Sequence, residues 1–177
     1  MQTKRRKRKK SMGNSGTIKN SRLYIVFVLL FFVSCDRNKI YEKYKGIPNA
    51  VWNTNEPVKF DFEIKDTTEL CNLYINIRCS DNYPYRNLYM FMKTTRPDGS
   101  KSIDTLEFYL LDIKGKPLGE CSGDVCNNRF LIDHDFHFPQ PGRYEFELKQ
   151  AMRTEGGNLP LIMGVGMRLE KANKKHK

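Results

Sequence analysis

The sequence of 177 residues lacks the short motifs that identify most enzymes. It contains no Gly-x-Ser-x-Gly elbow for a nucleophilic serine and no local cysteine–histidine signature. No glycine-rich loop for phosphate lies between a strand and a helix. Carboxylate pairs are abundant, but any exposed strand provides such pairs, so they identify no catalytic acid or base. The sequence therefore favours a protein without catalytic activity and implies no cofactor.

Acidic residues are absent from the first 34 positions, which carry nine Lys or Arg residues. Most of the formal net charge of +11 therefore lies in this segment, since the chain from Cys35 onward has 22 basic and 20 acidic residues. The basic run at residues 5–10 resembles a nuclear-localisation or nucleic-acid patch. Because an export signal follows this run, we expect no nucleic-acid partner.

A run long enough to span a membrane is also missing. The apolar stretch Leu23–Val33 has eleven residues, which cover about 16 Å as a helix, whereas a bilayer core needs ~30 Å. Lys19 and Arg22 precede this stretch and Ser34 follows it, which is the pattern of a secretory signal. The next residue, Cys35, resembles the lipobox cysteine of bacterial lipoprotein precursors. This resemblance implies that Cys35 carries lipid, is the first mature residue and tethers the protein to a membrane.

The sequence predicts four segments. Residues 1–34 form a lipoprotein signal peptide, with Met12 as the alternative start, and residues 35–48 form a lipidated tether. Residues 49–171 form a single domain that is long enough to bury a core. Residues 172–177 form a basic tail.

Four cysteines besides Cys35 would reach a compartment where disulfides form. Cys121 and Cys126 flank a short flexible loop and are a possible disulfide, with two buried thiols as the alternative. Cys71 and Cys79 would lie about 26 Å apart on one strand, which is beyond bonding range. We therefore expect both of these to be buried free thiols.

Alternation of apolar and polar residues recurs along the chain, as is typical of half-buried strands. Turn signals rich in Pro, Gly, Asn and Asp separate the alternating runs, and no apolar helical stripe of ten residues follows Cys35. These features predict an all-β fold, an antiparallel β-sandwich that is either immunoglobulin-like or a jelly roll. The apolar phases of four runs predict one shared core of Phe60, Phe62, Leu73, Ile75, Ile77, Phe146, Leu148 and Val165.

Asp133, Asp135 and His137 are the candidate metal ligands, since their residue types suit a metal and they would share one strand face. Positions i and i+4 of a strand lie ~13 Å apart, so one ion cannot contact all three. Cys121 and Cys126 do not match a structural zinc spacing with the histidines. We therefore expect a solvated strand face and no metal site.

Residues 83–89, which are predicted to form a hairpin between two strands, are rich in aromatic side chains. The candidate partner-binding residues are Tyr83, Tyr85, Arg86 and Tyr89, because exposed Tyr and Arg dominate many interfaces. The alternative is that the tyrosines cover the edge of the sandwich and satisfy their hydroxyls locally.

Several motifs, in this order, resemble the GldH gliding-motility lipoprotein family of Bacteroidetes. Besides Cys35 they are Tyr83-Pro84-Tyr85-Arg86-Asn87-Leu88, Asp104-Thr105-Leu106-Glu107-Phe108, Gly115-Lys116-Pro117-Leu118-Gly119, Gly123-Asp124-Val125, Gly142-Arg143-Tyr144, Gln150-Ala151-Met152-Arg153 and Gly164-Val165-Gly166. The resemblance extends from about Cys35 to Glu170. Pro117 stands where the family often has tryptophan, and Cys121 and Cys126 are peculiar to this chain.

This resemblance implies a non-enzymatic envelope lipoprotein that is associated with gliding and with the secretion apparatus that supports it. It implies an interaction or scaffold role, with the membrane and other envelope proteins of that assembly as partners. The residues after Cys35 lack the acidic cluster of a surface-export signal, so we expect a periplasm-facing protein on the outer or inner membrane. A carbohydrate-binding lipoprotein that uses the turn of Tyr83, Tyr85 and Tyr89 is the alternative function.

Overall fold

The computed structural model describes residues 38–172, so the predicted signal peptide and Cys35 lie outside the described residues. Within this range the chain forms strands and two short 3-10 turns, Pro48–Ala50 and Glu155–Gly157. The strands are β1 Lys39–Gly46, β2 Val51–Asn53, β3 Val58–Ile64, β4 Cys71–Ser80, β5 Asn87–Thr95, β6 Lys101–Tyr109, β7 Glu120–Ser122, β8 Val125–Phe136, β9 Gly142–Gln150, β10 Asn158–Pro160 and β11 Ile162–Lys171.

Two antiparallel sheets carry the fold. Sheet one has the order β1-β11-β4-β8-β7 and sheet two has the order β3-β9-β5-β6, while β2 and β10 pair in a small ribbon. The long strands pair in a nested way, β1 with β11, β3 with β9, β4 with β8 and β5 with β6. A long hairpin that is rolled into two sheets has this nested pairing, which defines a jelly roll. The predicted β-sandwich is confirmed, and of the two predicted topologies the jelly roll is the one observed.

The core lies between the two sheets and follows the predicted alternation. Along β3, buried and exposed residues alternate strictly, and Phe60 and Phe62 are 1% and 8% exposed. All eight predicted core residues are buried, and Ile75, Leu148 and Val165 have no exposed surface. The β2–β10 ribbon adds Trp52 and Leu159 to this core. Apolar side chains of four separate strands thus converge because each strand buries one face.

Residues 39–46 correct the predicted tether of residues 35–48. They form the edge strand β1, which pairs with β11 from Lys39↔Glu170 to Gly46↔Gly164. The ring of Tyr41 lies 4.8 Å from that of Phe62, and Glu42 accepts a 3.1 Å hydrogen bond from Arg168. The strand is polar because an edge strand is largely solvated, and this polarity is why its sequence resembles a linker.

The two described chain ends lie at the same end of the sandwich. The Lys171 amide donates to the Asn38 carbonyl, and the Ala172 amide donates to the Leu70 carbonyl, both at 2.8 Å. Cys71 pairs with both Lys171 and Phe136, so the connections at residues 65–70 and 137–141 are at this end too. The hairpin at residues 96–100 lies at this end as well, since Pro97 packs beside Gly142. We call this the proximal end; residues 47–57, 81–86, 110–124 and 151–161 form the distal end.

Candidate functional site

The predicted binding turn does not present its tyrosines on one surface. Tyr83 is only 2% exposed, and its hydroxyl donates a 3.1 Å hydrogen bond to the Asn87 carbonyl. Burial strongly raises the pKa of this phenol. The half-buried ring of Tyr85 packs edge-on against Tyr83 at 5.7 Å. The prediction is therefore wrong for Tyr83, and the turn does not offer the platform of three tyrosines that the carbohydrate-binding alternative requires.

The other two candidates, Arg86 and Tyr89, belong to an exposed group that we call the Glu107 cluster: Arg86, Asn87, Tyr89, Glu107 and Tyr109. The guanidinium carbon of Arg86 lies 4.7 Å from the ring centre of Tyr109. The Asn87 amide donates a 2.7 Å hydrogen bond to the Glu107 carboxylate. Tyr89 is 39% exposed and Tyr109 is 44% exposed. Two tyrosines and an arginine are thus held together at a solvent-accessible position.

Strand register brings this cluster together. In the β5–β6 hairpin, Asn87 pairs with Tyr109 and Tyr89 pairs with Glu107. Cross-strand neighbours on one face of an antiparallel pair lie close enough for their side chains to interact. The sequence analysis did not identify Tyr109 and Glu107 as binding candidates. The Pro97-Asp98-Gly99 turn signal could have identified them, because it sets the hairpin register that pairs them with Asn87 and Tyr89.

The charge of Glu107 organises the cluster. Hydrogen bonds from Asn87 and then from Tyr89 lower the pKa of the Glu107 carboxyl, and the nearby Arg86 charge adds to the effect. The hydrogen bond between Tyr89 and Glu107 also raises the pKa of the Tyr89 phenol. At neutral pH the cluster therefore holds an ionised Glu107 carboxylate that accepts the hydrogen bonds of Asn87 and Tyr89, which fixes the orientation of these side chains.

The outer face of sheet two extends this exposed surface. Phe91 is 41% exposed and Ile103 is 67% exposed, and both project from the same face as Tyr89. We call the surface formed by the Glu107 cluster, Phe91 and Ile103 the aromatic face. Beyond it, across β9 and β3, the outer face is charged and paired internally, as in the 3.2 Å ion pair of Arg143 with Asp61. The outer face thus has one half that carries the exposed aromatic and apolar side chains and another half that is charged.

The outer face of sheet one is a less open surface. Arg168 is buried and pairs with Glu42 and Glu170, at 3.1 and 2.8 Å. Arg129 donates a 3.1 Å hydrogen bond to the Asn76 side chain. These charged side chains bind one another and hold β1 on the sheet, so we interpret the network as a stabilising contact within the fold.

The predicted ligand types at residues 133–137 do not share one strand face. Asp133 pairs with Leu73 and Phe136 pairs with Cys71, so the register shifts between them. Asp135 has a φ of 50°, and its amide donates a 2.9 Å hydrogen bond to Asn72. Asp133 and His137 line a cleft between the sheets, and Asp135 does not. Within residues 38–172, no group of three or more His, Cys, Asp or Glu residues could hold a metal ion.

The cysteines have two different states. Cys121 and Cys126 form a disulfide between the paired strands β7 and β8. Cys71 and Cys79 are free and buried, which confirms the expectation of buried thiols. Burial raises the pKa of the Cys79 thiol to about 11 and also raises that of Cys71. These two thiols therefore contribute to packing and are not reactive groups.

Across the part of the chain that the structure describes, no helix is long and apolar enough to cross a membrane. Cys35, the predicted site of lipid attachment, lies outside that part.

Comparison with known proteins places the chain in a family. It matches the GldH lipoprotein family over residues 39–169. It is 33% identical over 159 residues to the gliding motility lipoprotein GldH of Flavobacterium johnsoniae, covering 86% of this chain and 97% of that one. It is 32% identical over 153 residues to a gliding motility lipoprotein GldH homolog of Christiangramia forsetii, covering 84% of this chain and 93% of that one.

Among solved structures, a family GH115 4-O-methyl-α-glucuronidase gives a TM-score of 0.40 at 10% identity, over 78% of this chain and 18% of the enzyme. A likeness this slight carries no argument about function. The family match and the two relatives show that this chain belongs to the GldH lipoprotein family.

Proposed function

We propose that the protein is a lipid-anchored, non-enzymatic interaction component of the gliding-motility assembly in the bacterial envelope. Its lipid is attached at Cys35, and its domain faces the periplasm from the outer or inner membrane. The observation that carries the interaction role is the aromatic face, where Tyr89 and Tyr109 remain substantially exposed. Family membership and the printed names of the two relatives support the link to gliding.

The Glu107 cluster has the properties of a protein-binding anchor. Tyr and Arg are over-represented among the residues that dominate interface energies. Here Arg86 is already stacked on Tyr109, and Asn87 already binds Glu107. Side chains that are ordered before binding lose less conformational entropy when a partner docks. The partner that fits is another envelope protein of the same assembly, with an apolar patch to cover Phe91 and Ile103.

The anchor follows from the sequence around Cys35. Each buried CH₂ of an acyl chain contributes ~0.8 kcal/mol, so two or three chains hold a protein stably to a bilayer. Metabolic labelling with an alkyne fatty acid tests this: wild type should be tagged and Cys35→Ala should not. Label that persists on Cys35→Ala would refute the attachment site.

The interaction role is tested in the native host after deletion of the chromosomal copy. The double variant Tyr89→Ala/Tyr109→Ala should remain anchored and folded but should lose cell spreading and mild-crosslinking recovery of motility proteins. Leu131→Ala is the control, because Leu131 is 50% exposed on the other sheet. Wild-type spreading and recovery in the folded double variant would exclude the aromatic face as the binding surface.

The non-enzymatic assignment has its own test. Charge-neutral changes Asp133→Asn and His137→Gln should leave complementation intact. Loss of function in folded His137→Gln, together with stoichiometric metal in the purified wild-type protein, would overturn the assignment.

A further inference from the structure

From the positions of the chain ends we infer that the proximal end of the sandwich rests on the lipid headgroups and that the distal end is held away from them. This inference rests on the lipid anchor at Cys35 that is part of the proposed function. It identifies a second interaction surface, at the opposite end of the strands from the Tyr83 turn, and its partner is the bilayer.

The first step is the length of chain between the anchor and the fold. Asn38 is already bonded into the sandwich, because its carbonyl accepts the Lys171 amide at 2.8 Å. Two residues, Asp36 and Arg37, lie between Cys35 and Asn38, so three Cα–Cα steps join the two positions. An extended chain spans at most ~3.6 Å per residue, so Asn38 lies no farther than about 11 Å from the lipidated residue. A free tether to residue 48 would have allowed the fold to lie about 47 Å from the lipidated residue.

The second step is the location of the other loops relative to Asn38. The connections at residues 65–70, 96–100 and 137–141 share the proximal end with both chain ends. Strand β4 has ten residues, which at ~3.3 Å each separates the two ends by about 30 Å. The anchor therefore keeps the proximal loops near the bilayer, while the distal loops are about 30 Å farther along the strands.

The third step is the chemistry of the two ends. The exposed residues of the three proximal connections are charged, polar, Gly or Pro, such as Lys65, Asp66 and Asp98. None of the large exposed apolar side chains lies in these three described connections. In contrast, Ile113 is 81% exposed and Leu118 is 58% exposed in the distal connection between β6 and β7. Polar loops suit the hydrated headgroup layer, whereas exposed apolar side chains suit a protein partner.

A matched pair of labels tests the orientation. Lys65→Cys lies at the proximal end and Lys114→Cys at the distal end; both lysines are exposed, and both are changed to the same residue. The acylated variants are reconstituted into phosphatidylethanolamine–phosphatidylglycerol vesicles that carry a headgroup acceptor dye, with a donor dye on the new cysteine. Cys71 and Cys79 are buried, and Cys121 is bonded to Cys126, so they should take no label.

We expect energy transfer to be several-fold stronger from position 65 than from position 114. Insertion of a 15-residue Gly-Ser linker after Arg37 should remove most of this difference, because such a linker reaches about 20 Å. Equal transfer from the two labels in the unmodified tether would overturn the orientation, because the domain would then lie flat on the bilayer. Failure of the acylated protein to float with vesicles would refute the lipid anchor of the proposed function. Flotation with equal energy transfer from the two labels would refute only the orientation.

Discussion

Single residues in this fold are tested most directly at the buried thiols. Cys71 and Cys79 are 2% exposed, and burial raises the pKa of both, that of Cys79 to about 11. A raised pKa keeps a thiol neutral at pH 7 to 8, and the thiolate is the reactive form. In a Cys35→Ala variant we expect two thiols to react with a maleimide only after denaturation. Rapid reaction of either thiol in the native protein would contradict its burial.

Gly119 is a residue at which an added methyl group should break packing. A Cβ there would lie 2.5 Å from the Asn128 side-chain oxygen and 2.6 Å from the Asn127 carbonyl oxygen. Because one of these atoms is backbone, relief requires movement of the strand. Gly119→Ala should lower the free energy of unfolding by about 1–3 kcal/mol, as overpacking does.

Gly46→Ala is the control for this experiment, because a Cβ at Gly46 meets nothing within 4 Å. Its effect should stay within ~0.5 kcal/mol, as for most surface changes. Urea denaturation measures both variants, and equal stability of the two would show that the loop yields at Gly119.

Among the elements, β9 gives the clearest test of the core. Phe146 on this strand is 4% exposed and stacks on Phe62 at 5.3 Å between ring centres. Phe146→Ala should lower the free energy of unfolding by about 3–5 kcal/mol. Phe91→Ala, on the neighbouring strand but 41% exposed, should have a much smaller effect. Melting of Phe146→Ala within a degree or two of wild type would show that the strand face is wrongly assigned.

The β7–β8 hairpin tests the contribution of the disulfide. Cys121 and Cys126 are five residues apart, so their bond closes a small loop. The chain-entropy estimate for a loop of this size is about 2 kcal/mol. Cys121→Ala should therefore lower stability by that amount or less and should leave the two main sheets intact, as thermal denaturation and circular dichroism would show. Loss of the whole fold would mean that this hairpin organises sheet one.

The elements also show how far sequence could predict this protein. Strands such as β3 and β9 were predictable because each buries one face, which leaves an alternation of apolar and polar residues. Strand β1 was missed because it is a solvated edge strand whose tyrosines and lysines resemble a linker. The burial of Tyr83 and the contact of Tyr89 with Glu107 depend on where turns pack and which strands pair. No local pattern encodes those distances.

At the scale of the whole molecule, the position of β11 gives the last prediction. This strand lies between β1 and β4 in sheet one, and its Val165, Met167 and Leu169 are fully buried. A variant that ends at Leu161 should not fold, because sheet one then loses a central strand. A variant that ends at Ala172 keeps every described strand and should unfold cooperatively like the full chain. Cooperative unfolding of the shorter variant, measured in urea, would contradict this role.

The nested pairing of the strands also has a consequence for export. Strand β1, near the start of the chain, needs β11, near its end, as its partner. Contacts between such distant parts of a chain form slowly because they close long loops. A chain that leaves the cytoplasm as a lipoprotein precursor must pass through a narrow channel while unfolded. Here the jelly roll cannot be completed until β11 has been synthesised, so on the proposed export route the topology delays folding until nearly the whole chain has been made.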